Sequence, residues 1–404
     1  MFNKNNYAIF TVCNLNYLSK ALVLGDSIVK YSGVKLKIYL FDKKQVLNAD
    51  YKNVEIVWME DLNVPNYSHL AFKYDIIEFS TSLKPYITLL LLEDFEKVVF
   101  FDADICLYSE INPIINDLET NSILLTPHYT TPQTSSMKES DLGMMRFGSF
   151  NLGFYAVKKS QSSISFLSWW SRRCIDLCNM ESQFGLSTDQ KWVSIAPCLF
   201  EDIKISFNLG YNCAPWNSFE RIITKNDFIY YVNNKFKLVF FHFSNFDFDD
   251  VQYLNKRSEY EIDKPRPDLL ELGQQYKSLL IEKLKIAPNC SYSYDFFDSG
   301  EYISPTLRNA YISIYQDLEI DHNPFEVNGP ILSFARKNNL LERGNEPYKR
   351  NGFSEISNNK GKLKIIYIIM RFLLRIVGPN KFQNLSRLLV YLSSYRQNRE
   401  LWKF

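Results

Sequence analysis

The chain has 404 residues, 46% hydrophobic and 16% aromatic, enough apolar material for two or three domains with aromatic-rich cores. Its net charge of +1 argues against a polyanion partner, but residues 360–404 hold ten Lys and Arg against one acid, Glu400, leaving that segment at +9 and the rest at −8. No run reaches the ~20 apolar residues of a membrane-spanning helix.

The seven cysteines (Cys13, Cys106, Cys174, Cys178, Cys198, Cys213, Cys290) include no CxxC pair. "MFNKNNYAIFTV" lacks an apolar segment long enough for a signal peptide. A reducing, cytoplasmic setting is therefore expected.

In chain order, "YAIFTV" (7–12), "LKIYLF" (36–41), "VEIV" (54–57), "KVVFF" (97–101) and "SILLT" (122–126) read as short strands. Helical patterns lie between them. "NYLSKALVLGDSIVKYS" has apolar residues near a 3.6 period, and "STSLKPYITLLLLEDF" offers Ser82 as N-cap with Pro85 in the first turn. This alternation predicts an α/β fold with a mostly parallel sheet flanked by helices. Such sheets bind ligands beyond the carboxyl ends of their strands.

Further along, "TPHYTTPQTSSMKESDLGMMRFG" (126–148) reads as a long loop. "SFNLGFYAVKKS" (149–160) reads as a loop entering a strand, and "SISFLSWWSRRCIDLC" (163–178) as a helix. "GLSTDQKWVSIAPCLF" (185–200) reads as a helix capped by Ser187 or Thr188, with Asp189 in its first turn. "KLVFFHFSNFDF" (237–248) reads as an aromatic strand interrupted by His242, and "PDLLELGQQYKSLLIEKLK" (267–285) as an amphipathic helix. Further helices are expected around Pro305, Pro324 and Pro330, and a polar linker over 346–361. The expected organisation is a catalytic domain over 1–255, a helical extension over 256–345, that linker, and a basic tail over 362–404.

The stretch "VVFFDADI" (98–105) runs four apolar residues into Asp102 and Asp104. If the extended run persists, both carboxylates share a face. Such an oxygen pair at a sheet's ligand crevice suits Mg2+ or Mn2+ beside diphosphate oxygens.

Seven motifs, in order, carry a resemblance: "FTVCNLNYLSKALVLGDSI", "LKPYITLLLL", "VVFFDADI", "FNLGFYAV", "TDQKW", "YNCAPWN" and "FFHFSNF". Over about residues 7–250 the chain resembles the GT-A glycosyltransferases, and within them glycosyltransferase family 8 and related bacterial polysaccharide enzymes. The resemblance implies a nucleotide-sugar donor, with UDP favoured, and a glycan or lipid-linked glycan acceptor. It places Thr11, Val12, Cys13 and Asn14 around the nucleobase and ribose and Tyr17 near the base. Lys84 would reach the donor. Asp102 and Asp104 would bind metal and ribose, Ala103 between them belongs to the donor-binding set, and His242 would be the third metal ligand. Asn151 would contact the donor sugar, while Asp189 and Gln190 would lie beside the reacting carbon.

Relatives often place a lysine after the histidine motif. Here "HFSNFDFDD" has none, so Lys84 or Arg146 is the candidate to neutralise the diphosphate. The resemblance also implies retention of anomeric configuration, by same-face displacement. A metal-dependent nucleotidyltransferase is the rival reading, but it would want a glycine-rich basic loop where "TVCNLNYLSK" stands. A non-catalytic carbohydrate-binding relative would be expected to have lost a metal ligand.

In the tail, "KLKIIYIIMRFLLRIVG" (362–378) places Lys364, Arg371 and Arg375 within one ~40° arc of an apolar helix. Basic residues continue through Arg387, Arg396, Arg399 and Lys403, beside Tyr391, Tyr395 and Trp402. This pattern suits an anionic membrane surface, with the protein peripheral on the inner face of the cytoplasmic membrane. Because the basic residues gather in an apolar tail, nucleic acid is not expected as a partner.

Overall fold

The computed structural model describes residues 6–47, 49–132, 140–249, 251, 266–314, 323–342 and 360–392. The expected linker, except for its last two residues, and the tail beyond Leu392 (Tyr395, Arg396, Arg399, Glu400, Trp402 and Lys403) lie outside the described residues. So does the expected boundary at 255/256.

Two compact units emerge. The first comprises Met1–Tyr67 with Ile76–Ser293, the second Ser68–Asp75 with Tyr294–Phe404. The first unit is built on a seven-stranded sheet. Its strands are β1 (Tyr7–Cys13), β2 (Leu36–Leu40), β3 (Val54–Trp58), β4 (Lys97–Phe101), β6 (Ile123–Pro127), β7 (Phe150–Lys158) and β8 (Ile203–Ile205). The order is β3-β2-β1-β4-β7-β6-β8. Every pairing is parallel except those of β7 with β4 and β6. A short antiparallel ladder joins β5 (Ile105–Leu107) to β12 (Phe240–His242). A three-stranded meander is formed by β9 (Ile223–Asn226), β10 (Ile229–Val232) and β11 (Phe236–Lys237).

The strands are apolar on both faces because helices cover both. On one face, Ile9, Val99, Phe101, Phe154 and Ala156 join a core with Leu22 and Ile28 of α1 (Leu18–Ser32) and Ile114 and Leu118 of α4 (Asn112–Thr120). On the other, Phe100 stacks on Tyr155 at 5.1 Å, and Tyr155 meets Trp170 of α6 (Gln161–Leu177) edge-on at 5.2 Å. The Tyr155 hydroxyl lies 2.7 Å from the Thr88 hydroxyl of α3 (Ile76–Asp94). The fully buried Phe100 and Phe101 each contribute roughly 2–3 kcal/mol of apolar burial.

Several sequence expectations need correction. The helix containing Pro85 starts at Ile76, so Pro85 is interior and Ser82 is no cap; its hydroxyl donates back to the Phe79 carbonyl at 2.7 Å. The capped helix expected over 185–200 is only α7 (Gln190–Val193) and a 3-10 turn at Ala196–Cys198. Thr188 before it takes a left-handed φ of 47°, and Asp189 makes no side-chain cap. The aromatic strand at 237–248 is cut at Leu238–Val239, so β11 closes the meander while β12 leaves to pair with β5.

Helix α8 (Pro267–Leu284), expected in a separate extension, belongs to the first unit. Its Leu269, Leu272, Tyr276 and Leu280 bury against Phe241, Phe243 and Val232. Tyr276 stacks on Phe243 at 3.9 Å. Helix α5 (Ser140–Phe147) occupies the end of the stretch read as a loop.

In the second unit, α9 (Pro305–Ile314) carries the buried Arg308. Its guanidinium donates to the carbonyls of Ala71, Phe72 and Tyr74 at 2.8–2.9 Å, ending α2 (Tyr67–Lys73), and to Tyr294 O at 2.7 Å. Phe72 packs on Phe297, Tyr311 and Phe325. These contacts explain why residues 68–75 group with the C-terminal half. A short helix α10 (Pro330–Lys337) follows; Pro324 lies in a turn. Helices α11 (Lys360–Val377) and α12 (Pro379–Leu392) are joined at Gly378, which takes φ 80°. Among the described residues no helix is long and apolar enough to cross a membrane.

Candidate active site

Strand β4 ends at Phe101, and the chain turns at once: Ile105 N donates to Asp102 O at 3.1 Å. The carboxylates of Asp102 and Asp104 therefore come together through a turn rather than on one face of an extended strand. The neighbouring strand runs antiparallel, with Phe101 opposite Phe154, and Asp102 N donates to Gly153 O at 2.7 Å. The start of β7, with Asn151 and Gly153, thus meets the end of β4.

His242 arrives from far along the chain. In the β5–β12 ladder it pairs with Ile105, and Phe243 N donates to Asp104 O at 2.9 Å. Its Nε2 lies 3.1 Å from Asp104 Oδ1 and 3.8 Å from Asp102 Oδ2. One ligand atom from each of the three residues falls within a 4.8 Å cluster. Asp102 is the most open member, its side chain 33% exposed against 12% for Asp104 and 5% for His242. Burial opposes the Asp104 charge, but His242 and Lys20 outweigh it and hold the carboxyl at about 2.

Two carboxylates and one imidazole suit a borderline divalent cation. Gly153 makes the cradle: a Cβ there would stand 2.3 Å from His242 Cε1 and 2.7 Å from Nδ1. The buried Nδ1 has no hydrogen-bond partner in the structure. The residues present therefore fit a divalent cation such as Mn2+ or Mg2+.

Lys84 projects from α3 beneath the end of β4. Its Nζ donates to Leu152 O at 3.0 Å and pairs with Asp102 Oδ1 at 3.2 Å and Asp189 Oδ2 at 3.5 Å. Burial works against its charge, yet the two carboxylates raise its pKa above the ordinary lysine value. Asp189 is itself pushed up by burial, which the Lys84 charge offsets only in part. Its backbone carbonyl accepts from Trp170 Nε1 at 3.1 Å.

Gln190 bridges the end of α5 and the start of β7, donating to Phe147 O at 2.9 Å and accepting from Leu152 N at 3.3 Å. Asn151 Oδ1 accepts from Asn212 Nδ2 at 3.0 Å and Gly153 N at 3.1 Å, and Asn151 Nδ2 lies 3.4 Å from His128 Nε2. Thr11 is fully buried, with an unpartnered hydroxyl. Cys13 and Asn14 are buried at the end of β1, and Tyr17 is 42% exposed. Cys13 joins the apolar core, and burial drives its thiol far up, so it carries no thiolate chemistry. Arg146 sits on α5 over the Phe147 ring at 5.8 Å.

Three residues escaped the sequence reading. Trp216 meets the His242 ring edge-on at 5.1 Å and the His128 ring at 5.9 Å, and its Nε1 donates to His128 O at 3.1 Å. His128 is the second imidazole near the centre; its only sequence signal is its place just after a strand end. Lys20 Nζ lies 4.0 Å from Asp104 Oδ2 and 3.9 Å from the Tyr17 ring centroid. The Tyr17/Lys20 spacing of three on a helix start was its available signal.

No family model matches the chain. Among curated proteins it is similar to two uncharacterized proteins of Bacillus subtilis (strain 168). YfnF is 23% identical over 209 residues, 51% of this chain and 68% of that protein. YfnD is 24% identical over 204 residues, 49% of this chain and 63% of that protein. Among solved structures it is similar to galactosyltransferase LgtC, crystallised with donor and acceptor sugar analogs, at 13% identity and TM-score 0.41, covering 71% of this chain and 98% of that one. Glycosyltransferase GlyE of Streptococcus pneumoniae TIGR4 gives 14% and 0.40, covering 72% and 67%. The bifunctional glycosyltransferase WbbM gives 11% and 0.37, covering 71% and 52%. With TM-scores below 0.5, the functional reading rests on the geometry of the site.

Proposed function

We propose that this chain is a GT-A-type glycosyltransferase, of the family 8 kind, dependent on a divalent cation. It would move a sugar from a nucleotide-sugar donor, UDP by resemblance, to a glycan or lipid-linked glycan acceptor in cell-surface polysaccharide synthesis. One observation carries the reading: Asp102, Asp104 and His242, 140 residues apart at their extremes, converge beyond the carboxyl end of β4.

Mn2+ or Mg2+ held by these three residues would supply Lewis-acid stabilisation of the departing diphosphate. The rest falls to the chain's own groups. Asn151, held by Asn212, and Gln190, held between Phe147 and Leu152, present amide groups suited to sugar hydroxyls. Asp189, buried and ion-paired with Lys84, is placed to stabilise positive charge on the sugar ring. The resemblance implies same-face displacement with retention. The acceptor oxygen bonds the anomeric carbon as the carbon–diphosphate oxygen bond breaks, and that oxygen takes the electron pair and then the acceptor proton.

The tail supports a peripheral location on the inner face of the cytoplasmic membrane. Ile365, Ile366, Ile369 and Phe372 of α11 and Leu388 and Leu389 of α12 are at least half exposed. Residues 360–392 contain seven Lys and Arg and no acid, which suits an anionic lipid surface.

The decisive experiment is a screen of sugar nucleotides for hydrolysis by the full chain with and without Mn2+. One donor should be hydrolysed, and the activity should vanish with EDTA and in Asp102→Ala or Asp104→Ala. Full metal-dependent turnover in either variant would sink the assignment, and NMR of the product anomer tests retention.

A further inference from the structure

Two lysines reach the carboxylate centre, and they are not equivalent. Lys84 is committed, its ammonium buried between two carboxylates and a carbonyl. Lys20, on the first turn of α1, is different. Its nearest charged atom is Asp104 Oδ2 at 4.0 Å, beyond hydrogen-bond length. Among the described residues its ammonium makes no hydrogen bond. The side chain is 17% exposed, so most of it is shielded from bulk solvent beside the carboxylates while its ammonium keeps donors to offer.

The charge balance asks for such a group. Asp102, Asp104 and Asp189 against Lys20 and Lys84 give a net −1. A divalent cation turns that to +1, and the centre then attracts an anion. Without Lys20 the same loaded centre is neutral. Lys20 also lies over the half-exposed ring of Tyr17 at 3.9 Å. One side chain therefore connects an aromatic platform to a carboxylate of the cation site, as the base-to-phosphate span of a nucleotide would require.

We infer that Lys20 is a diphosphate-binding residue, the cation that contacts the phosphate oxygens of the donor and of the released nucleoside diphosphate. The inference rests on the metal-dependent reading above and deepens it. The interaction is ionic and donates hydrogen bonds; no covalent step involves Lys20.

The test measures binding, not turnover. Inorganic pyrophosphate is titrated calorimetrically into the full chain with Mn2+ present at micromolar concentration, and Mn2+ alone is titrated by electron paramagnetic resonance. Lys20→Met keeps the stem and loses the charge; Lys20→Arg keeps the charge. Lys20→Met should weaken pyrophosphate about tenfold or more, the size of a lost charge-assisted hydrogen bond. Lys20→Arg should recover most of the affinity, and Mn2+ alone should bind Lys20→Met no more weakly than the parent. Unchanged pyrophosphate affinity in Lys20→Met overturns the inference while leaving the metal site standing. So does an equal loss of Mn2+ affinity, which would make Lys20 a support for Asp104 only. A parent chain that takes up neither Mn2+ nor pyrophosphate fails the metal-dependent reading itself.

Discussion

Gly153 lies directly against the imidazole of His242, with no room for even one carbon between them: a Cβ at 153 would stand 2.3 Å from the ring's Cε1. The backbone of the same glycine accepts the amide of Asp102 at 2.7 Å. One residue thus sets both the start of the carboxylate turn and the position of the ring facing it. Gly153→Ala should push the imidazole away from the carboxylates and lower Mn2+ affinity by roughly 10–100-fold, as lost support for a ligand does. Paramagnetic titration of Mn2+, with a urea midpoint as fold control, checks this. Parent-like Mn2+ binding in a folded Gly153→Ala would refute the cradle.

Lys84 is the counter-charge for two acids, one of them fully enclosed. Lys84→Met leaves Asp102 and Asp189 facing each other without it and should cost about 3–5 kcal/mol of stability, the usual penalty for orphaning a buried charge. Adding Asp189→Asn should return part of that loss. A double-mutant cycle in urea measures the coupling, and strictly additive effects would contradict the pairing at 3.5 Å.

Acid sensitivity should begin above the carboxylate range. Burial holds the His128 imidazole down at about 4 from an ordinary 6.5, against the nearby Ser149 and Gly148 backbone. Between those values the unfolded chain takes up a proton that the folded chain refuses. Stability should therefore fall as pH drops from 6.5 toward 4, by up to about 3 kcal/mol. His128→Gln should flatten that part of the urea midpoint-versus-pH curve. Asp104 adds a second, lower phase. Its folded pKa is depressed, so its contribution is present above 3.8 and is lost as pH falls toward about 2.

The exposed apolar residues of α11 and α12 should carry the chain onto anionic vesicles. Full-length protein should float with phosphatidylglycerol-rich vesicles at low salt and less so at high salt. Protein cut at about residue 345, or with Lys364, Arg371 and Arg375 changed to Glu, should remain at the bottom. Equal flotation of the full and cut forms would remove the membrane reading.

Strand positions were legible because a sheet covered on both faces demands near-continuous apolar runs. β1, β2, β3, β4 and β6 each match such a run within about two residues. The acidic pair after β4 was legible for the same reason, as a sudden change of polarity at a strand end. Helix ends were less so. Pro85 read as a first-turn residue, yet α3 begins at Ile76, because packing on Tyr155 and Phe100 outweighs the one hydrogen bond a mid-helix proline forfeits.

Local pattern alone thus determined that this chain builds a helix-covered α/β sheet, that two carboxylates close its fourth strand, and that its last stretch is apolar and basic. Tertiary structure decided what those carboxylates face. The β5–β12 ladder that returns His242, the commitment of Lys84 to Asp102 and Asp189, and the placement of Lys20 beside Asp104 all depend on contacts between residues distant in sequence. Periodicity reports only the side a residue presents; which remote group meets it there is set by how the strands are ordered and how the helices pack upon them.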